Sequence, residues 1–228
     1  MRPVVFLLLL APSLSAGEKP ATIRGAVRFV GDVPPDRKIL TTDGATILHN
    51  DLVVDAKAKG LRYVAVYLEK APAHKVAAKK AMVLCDQRDM LFHPRIVAVQ
   101  EGQTVRFENN DLCNHCVRGS ALETANTFNA VTPPGQPFDF RFKAHKHPTV
   151  IDCPIHAWMK AYVFTFDHPF FAVTDEKGAY AIKDVPPGKH TLVFRHMDTG
   201  TMERRPLDVR AGSVHEESVE WRKTGTAK

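Results

Sequence analysis

Cysteine is scarce in this chain, with four residues among 228, at positions 85, 113, 116 and 153. That number excludes a scaffold held together mainly by disulfides. Charge of one sign is also missing. There are 31 Lys+Arg against 25 Asp+Glu, and the formal net charge of +6 is too mild to imply nucleic acid. Beyond the first residues no apolar run is long enough to cross a membrane, and there is no internal repeat or low-complexity tract. Hydrophobic residues at 44% and charged residues at 25% exclude a disordered or collagen-like chain. The length suffices to bury a core in one large domain or two small ones.

What is present starts with a leader. Residues 1–16, MRPVVFLLLLAPSLSA, combine a basic start at Arg2, a short apolar run from Val4 to Leu10, and small residues at Ser13, Ser15, Ala16 and Gly17. This is the pattern of a secretory signal peptide, with cleavage expected after Ala16 or Gly17. No Cys follows the run, so no lipid anchor is indicated. The expected location is the periplasm or the exterior, where metals can be captured.

The body reads as strands. Ile23, Gly25, Val27 and Phe29 alternate with Arg24, Ala26 and Arg28, and Phe138, Phe140 and Phe142 alternate with Asp139, Arg141 and Lys143. RYVAVYLEK (62–70) repeats the pattern, and shorter strands are expected at 95–99, 104–108, 149–153, 162–166, 191–196 and 218–222. Sixteen Pro and thirteen Gly supply turns between them, such as Pro133-Pro134-Gly135 and Pro186-Pro187-Gly188. Many short strands at this spacing predict an all-β fold, a sandwich or barrel. HKVAAKKAMV (74–83) is the one stretch expected to form a short helix.

The residues that carry chemistry are concentrated in Cys153-Pro-Ile-His156-Ala-Trp-Met159. A thiolate, an imidazole and a thioether lie within seven residues, in the order Cys-x2-His-x2-Met. That set suits copper cycling between two oxidation states, and a His2Cys site with a long axial Met is the blue-copper arrangement. Zinc is the alternative, although Met is a poor zinc ligand. A second His is needed, and His115 in NNDLCNHC (109–116) follows the expected strand TVRFE.

With these residues the sequence resembles the cupredoxins, the small blue copper proteins. FHPRIVAVQEGQTVRFENNDLCNH (92–115) is similar to their first half, and the Cys153–Met159 loop has the short spacing of amicyanin rather than that of plastocyanin. The resemblance covers about residues 83–167. It implies a Greek-key β-sandwich or barrel and one mononuclear type 1 copper site with His115, Cys153, His156 and Met159 as ligands. One departure is Cys116, which stands directly after His115 where many cupredoxins carry an Asn that ties the two ligand loops together. Cys85, Cys113 and Cys116 form an odd set of three. They allow one disulfide and a free thiol, buried thiols, or a Cys113 or Cys116 that joins the metal. His145 and His147 allow an auxiliary metal site or a solvated basic loop. The His-Cys-His triads of multicopper oxidases are absent, which disfavours oxygen reduction.

The flanks carry a second resemblance. AVTDEKGAYAIKDVPPGKHTLVFRH (172–196) is similar to the carboxypeptidase-regulatory-like, transthyretin-related β-sandwich, whose opening G-x-V strand is matched far upstream by Gly25-Ala-Val27. The layout expected is a split sandwich, 21–80 and 169–222, with the cupredoxin domain inserted at 83–167. The whole also resembles methylamine-utilisation-like cupredoxin proteins, through His168-Pro-Phe-Phe-Ala-Val-Thr-Asp175 after the ligand loop. The function these resemblances imply is one-electron transfer to or from a redox partner protein, an acidic one given the basic charge, and no enzymatic activity. The alternative is copper storage or delivery.

Overall fold

A strand covered on only one side reads as alternating apolar and polar residues, whereas a strand between two cores is apolar at every position. The stretch Tyr63–Leu68 is of the second kind. Its Val64, Val66 and Leu68 enter one core, while Tyr63, Ala65 and Tyr67 enter another. The computed structural model describes residues 18–222 except 42, 43, 45, 51 and 72–80. The leader at 1–16 and most of the stretch expected to be helical lie outside the described residues.

The described chain is all-β, with one short 3-10 turn at Thr124–Asn126. The first strands are β1 (Ala21–Phe29), β2 (Arg37–Leu40), β3 (Thr46–His49), β4 (Ala65–Leu68), β5 (Val83–Arg88), β6 (Leu91–His93) and β7 (Ile96–Gln100). There follow β8 (Thr104–Asn109), β9 (His115–Ser120), β10 (Phe128–Thr132), β11 (Phe138–Arg141), β12 (Thr149–Cys153) and β13 (His156–Phe166). The last are β14 (Phe171–Val173), β15 (Ala179–Val185), β16 (Gly188–His196), β17 (Thr201–Val209), β18 (Val214–Glu216) and β19 (Val219–Trp221). Val83, expected at the end of a helix, instead opens β5, because its backbone pairs in parallel with β8.

Four sheets stack on three cores. β1 pairs with β15, β18 and β19, and that sheet shares a core with the sheet ordered β14-β4-β16-β17. This first core joins Ile23, Val27 and Leu61 to Phe170, Phe194 and Trp221, so residues on both sides of 83–167 build it together. The sheets β10-β9-β12-β13-β7 and β11-β8-β5-β6 face each other across a second core that holds Phe92, Phe107, Phe142, Cys153 and Met159. Between the two pairs lies the third core, where Tyr63 and Ala65 meet Ile96 and Phe164. Alternation sorts β7 and β13 as it sorts β4. Val97, Val99, Ala161 and Val163 point to the second core, and Ile96, Ala98, Tyr162 and Phe164 to the third.

The Phe138/140/142 alternation holds a specific packing. These rings cluster with Phe128 of β10, whose ring lies 4.2 Å from that of Phe140 and 5.3 Å from that of Phe138. Phe128 pairs with Gly119 of β9, and a Cβ at Gly119 would stand 2.3 Å from the Phe128 ring. Glycine is required there by close approach, not by backbone conformation.

Candidate metal centre

Hairpin geometry brings the first two donors together. Cys153 ends β12, His156 begins β13, and only Pro154 and Ile155 separate them, so the two become direct partners across the antiparallel pair. β12 also pairs with β9, with Asp152 opposite Arg118, and a two-pronged Arg118–Asp152 ion pair at 2.8 and 2.9 Å fastens the two strands. His115 opens β9 and is fully buried beside the hairpin. Its Nδ1 lies 3.0 Å from Nδ1 of His156, and that same nitrogen of His156 lies 3.7 Å from Sγ of Cys153. Met159 is fully buried in the core that contains Cys153.

Neighbouring groups prepare these atoms. The Asp111 carboxylate lies 2.9 Å from Nε2 of His115 and also accepts the backbone N–H groups of Asp89 and Met90. A carboxylate at that distance keeps the proton on Nε2 and leaves the Nδ1 lone pair facing the centre. Asn109 is buried, and its side chain donates to the carbonyls of Cys113 and Thr132 while accepting from Asp111 N–H, which ties the His115 loop to β10. The backbone N–H of Cys116 donates to Cys153 Sγ at 3.3 Å, so the residue standing where an Asn was expected still connects the two ligand loops through its main chain.

Electrostatics separate Cys85, Cys116 and Cys153. Burial works against ionising Cys153, but the hydrogen bond with His115 and those from the backbone N–H groups of Cys116, His156 and Ile155 outweigh it and hold the thiol below its ordinary range. Burial likewise favours neutral His115, yet Cys153 and Asp111 together raise its affinity for a proton. Burial pushes Cys85 strongly upward and Cys116 upward. Of these three thiols, Cys153 is therefore the one most readily ionised.

Two of the separations between these donor atoms match those found around a single ion. An ion about 2.05 Å from each nitrogen and about 2.3 Å from the sulfur would span separations of 3.0 and 3.7 Å at angles of about 95° and about 115°. A thiolate, two imidazoles and a nearby buried thioether form the mixed set that suits copper.

Of the remaining candidates, Cys113 lies beside the two histidines and the others fall elsewhere. No disulfide joins any of the four cysteines, so the one allowed by the sequence does not form. Cys116 donates to Asn129 Oδ1 at 2.8 Å, and Cys85 lies 3.7 Å from the Pro94 carbonyl. Cys113 lies 3.7 Å from Met90 Sδ and 3.7 Å from His115 Nε2, and its sulfur, one nitrogen of His115 and one nitrogen of His156 all fall within 4.8 Å of one another. His145 Nδ1 accepts the backbone N–H of His147 in a local turn. Sequence reasoning missed Asp111, Asn109 and Met90. Asp111 had one legible signal, a carboxylate four residues before a candidate ligand in a short loop.

No family model and no curated protein matches the sequence. Among solved structures, the chain is similar to a copper-containing nitrite reductase from Thermus scotoductus SA-01, with 20% identity over 43% of this chain and a TM-score of 0.36. The match spans 26% of that enzyme. A purple cupredoxin from Nitrosopumilus maritimus is similar over 36% of this chain and 98% of its own, with 17% identity and a TM-score of 0.32. Amicyanin from Paracoccus versutus matches over 46% of this chain and 98% of its own, with 18% identity and a TM-score of 0.32.

Proposed function

We propose that the chain is a type 1 copper protein that carries single electrons, with His115, Cys153, His156 and Met159 holding one copper ion. The observation that carries this reading is the hydrogen-bonded Cys153 sulfur, more readily ionised than an ordinary thiol and 3.7 Å from an imidazole nitrogen that itself lies 3.0 Å from another. Bound copper would supply one-electron redox chemistry. Cys153 and the two imidazoles would hold it in place, Asp111 would orient His115, and the apolar surroundings of Met159 would exclude water. His156 is 9% exposed, and Ile155 and Leu112 beside the ligand loops are 55% and 100% exposed. This apolar rim supports brief docking of a redox partner rather than turnover of a substrate. The net charge favours an acidic partner.

The division of the cores supports a domain layout with 83–167 as a copper domain inserted into a sandwich made by 21–80 and 169–222. Export through the leader would place the protein in the periplasm or outside the cell. The test is titration of purified protein with Cu(II), expected to produce an intense thiolate-to-copper absorption band that Cys153→Ser abolishes. A band that survives the substitution would sink the ligand assignment.

A second reading, copper storage or delivery, is favoured by one observation: Cys113 Sγ and Met90 Sδ, two soft donors, lie 3.7 Å apart at the edge of the same centre. A protein that binds Cu(I), stays colourless with Cu(II) and loses affinity in Cys113→Ser would support that reading.

A further inference from the structure

Register decides which residues share one face of the β14-β4-β16-β17 sheet. Tyr67 of β4 stands opposite Val193 of β16, which stands opposite Arg204 of β17, and Ala65, Arg195 and Met202 form the next row. Where this face meets the end of β13 far from His156, a cavity of about 550 Å³ opens, lined among others by Tyr67, Lys146, Phe166, Arg195, Met202 and Arg204. Its floor is aromatic and soft. The half-buried rings of Tyr67 and Phe166 lie 4.9 Å apart, and Met202 is 42% exposed. Its rim is basic. Lys70, Lys146, Arg195 and Arg204 carry four positive charges against two negative ones on Glu69 and Asp167, and Arg204 already takes up Glu69 at 2.7 Å. Arg195 is half-buried where floor and rim meet. It bonds the Tyr67 hydroxyl and lies 5.9 Å from the Phe164 ring, and among the described residues no carboxylate pairs with it.

We infer that this cavity binds an aromatic carboxylate of one or two rings, with the ring against Tyr67, Phe166 and Met202 and the carboxylate on Arg195 and Lys146. Aromatic faces and a thioether suit a flat ring. A guanidinium has five N–H donors, so a bond to one hydroxyl leaves enough of them to meet both oxygens of a carboxylate. The volume falls within the range of small-molecule pockets, and an apolar floor with a few charged groups is their usual composition. An aliphatic acid would leave the rings uncovered, and a neutral ring would leave the excess of positive charge unmet. Tyr67, Arg195 and Met202 come from the segments flanking 83–167, whereas Lys146 and Phe166 come from within it. The site therefore exists only where the two parts of the chain meet, away from the proposed copper ligands.

The experiment uses the full chain without copper, so it does not depend on the copper reading. 2-Naphthoate is titrated calorimetrically at constant ionic strength. 2-Naphthalenemethanol keeps the ring and removes the charge, and acetate keeps the charge and removes the ring. The expected result is saturable binding of 2-naphthoate with a half-point below about 1 mM, binding of the alcohol about tenfold weaker, and no saturation by acetate up to about 10 mM. Lys146→Glu should weaken 2-naphthoate about tenfold and Arg195→Gln should abolish its binding. Lys160→Glu makes the same change of charge on the half of β13 nearer His156, outside the cavity, and should leave binding unchanged. Absence of saturation by 2-naphthoate up to about 10 mM overturns the inference, as does equal binding of the alcohol or saturation by acetate. A Lys146→Glu effect no larger than that of Lys160→Glu overturns it too. Lys146 and Lys160 are both exposed, so their comparison decides the question even if Arg195→Gln does not fold.

Discussion

A histidine can offer a metal only one nitrogen at a time, and the group on its other nitrogen decides which. Asp111 makes that decision for His115. Asp111→Ala is expected to lower copper affinity about 10- to 100-fold while the fold persists, with Asp111→Asn recovering part of the loss. Competition with a Cu(II) chelator measures it. His168 illustrates a second residue-level effect. Burial lowers its proton affinity from a reference of 6.5, and its Nδ1 accepts the backbone N–H of Phe170, which requires that nitrogen unprotonated. The folded form therefore binds the proton less readily than the unfolded form. Its contribution is present above pH 6.5 and is lost as pH falls from there through the lower folded-state value. His115 acts in the opposite direction, because its folded-state value is raised. The difference between the unfolding midpoints of wild type and His168→Asn should thus shrink between pH 7.5 and acid, and a constant difference would contradict the assignment.

At the scale of elements, close approach decides what a strand tolerates. Gly119→Val would force a side chain into the Phe128 ring, and a loss of about 1–3 kcal/mol is expected from chemical denaturation. The same geometry explains what sequence could and could not show. The alternation at Ile23–Phe29 and Phe138–Phe142 was legible because each strand has one clearly apolar face. β9, HCVRGS, was not, because His115, Cys116 and Gly119 occupy buried positions that large apolar residues would otherwise hold. β5 was hidden beside a Lys- and Ala-rich stretch, and only its parallel pairing with β8, a long-range contact, makes it a strand. β13 was read from residue 162 but starts at His156, since the first half of the strand, HAWMKA, lacks the dense apolar run of YVFTF and is fixed by its pairing with β12. Cys153, His156 and His115 could be connected by motif and spacing. Asp111 and Asn109 act by hydrogen bonds across loops, which spacing does not encode.

For the whole molecule, the third core joins the two sandwiches. Phe164 lies there, 4% exposed and 6.1 Å ring to ring from Tyr67. Phe164→Ala is expected to cost about 3–5 kcal/mol and to make the unfolding transition less cooperative, observable as two calorimetric peaks where wild type shows one. On the proposed function, the exposed Leu112 and Ile155 beside the loops of His115 and Cys153 would be the surface through which two copies exchange electrons. Leu112→Glu should slow self-exchange between oxidised and reduced protein, read from NMR line broadening, and leave the absorption spectrum unchanged.

β13 carries His156 and Met159 at one end and runs on between two cores, with Ala161 and Val163 pinned on one side and Tyr162 and Phe164 on the other. A strand held on both faces has little room to shift when the charge at its end changes. If copper binds as proposed, His156 and Met159 would keep nearly the same positions in both oxidation states, so the nuclear reorganisation that slows electron transfer would be small. On this view the outer sandwich acts as a brace, which lets a short ligand loop stay rigid without a disulfide to stiffen it.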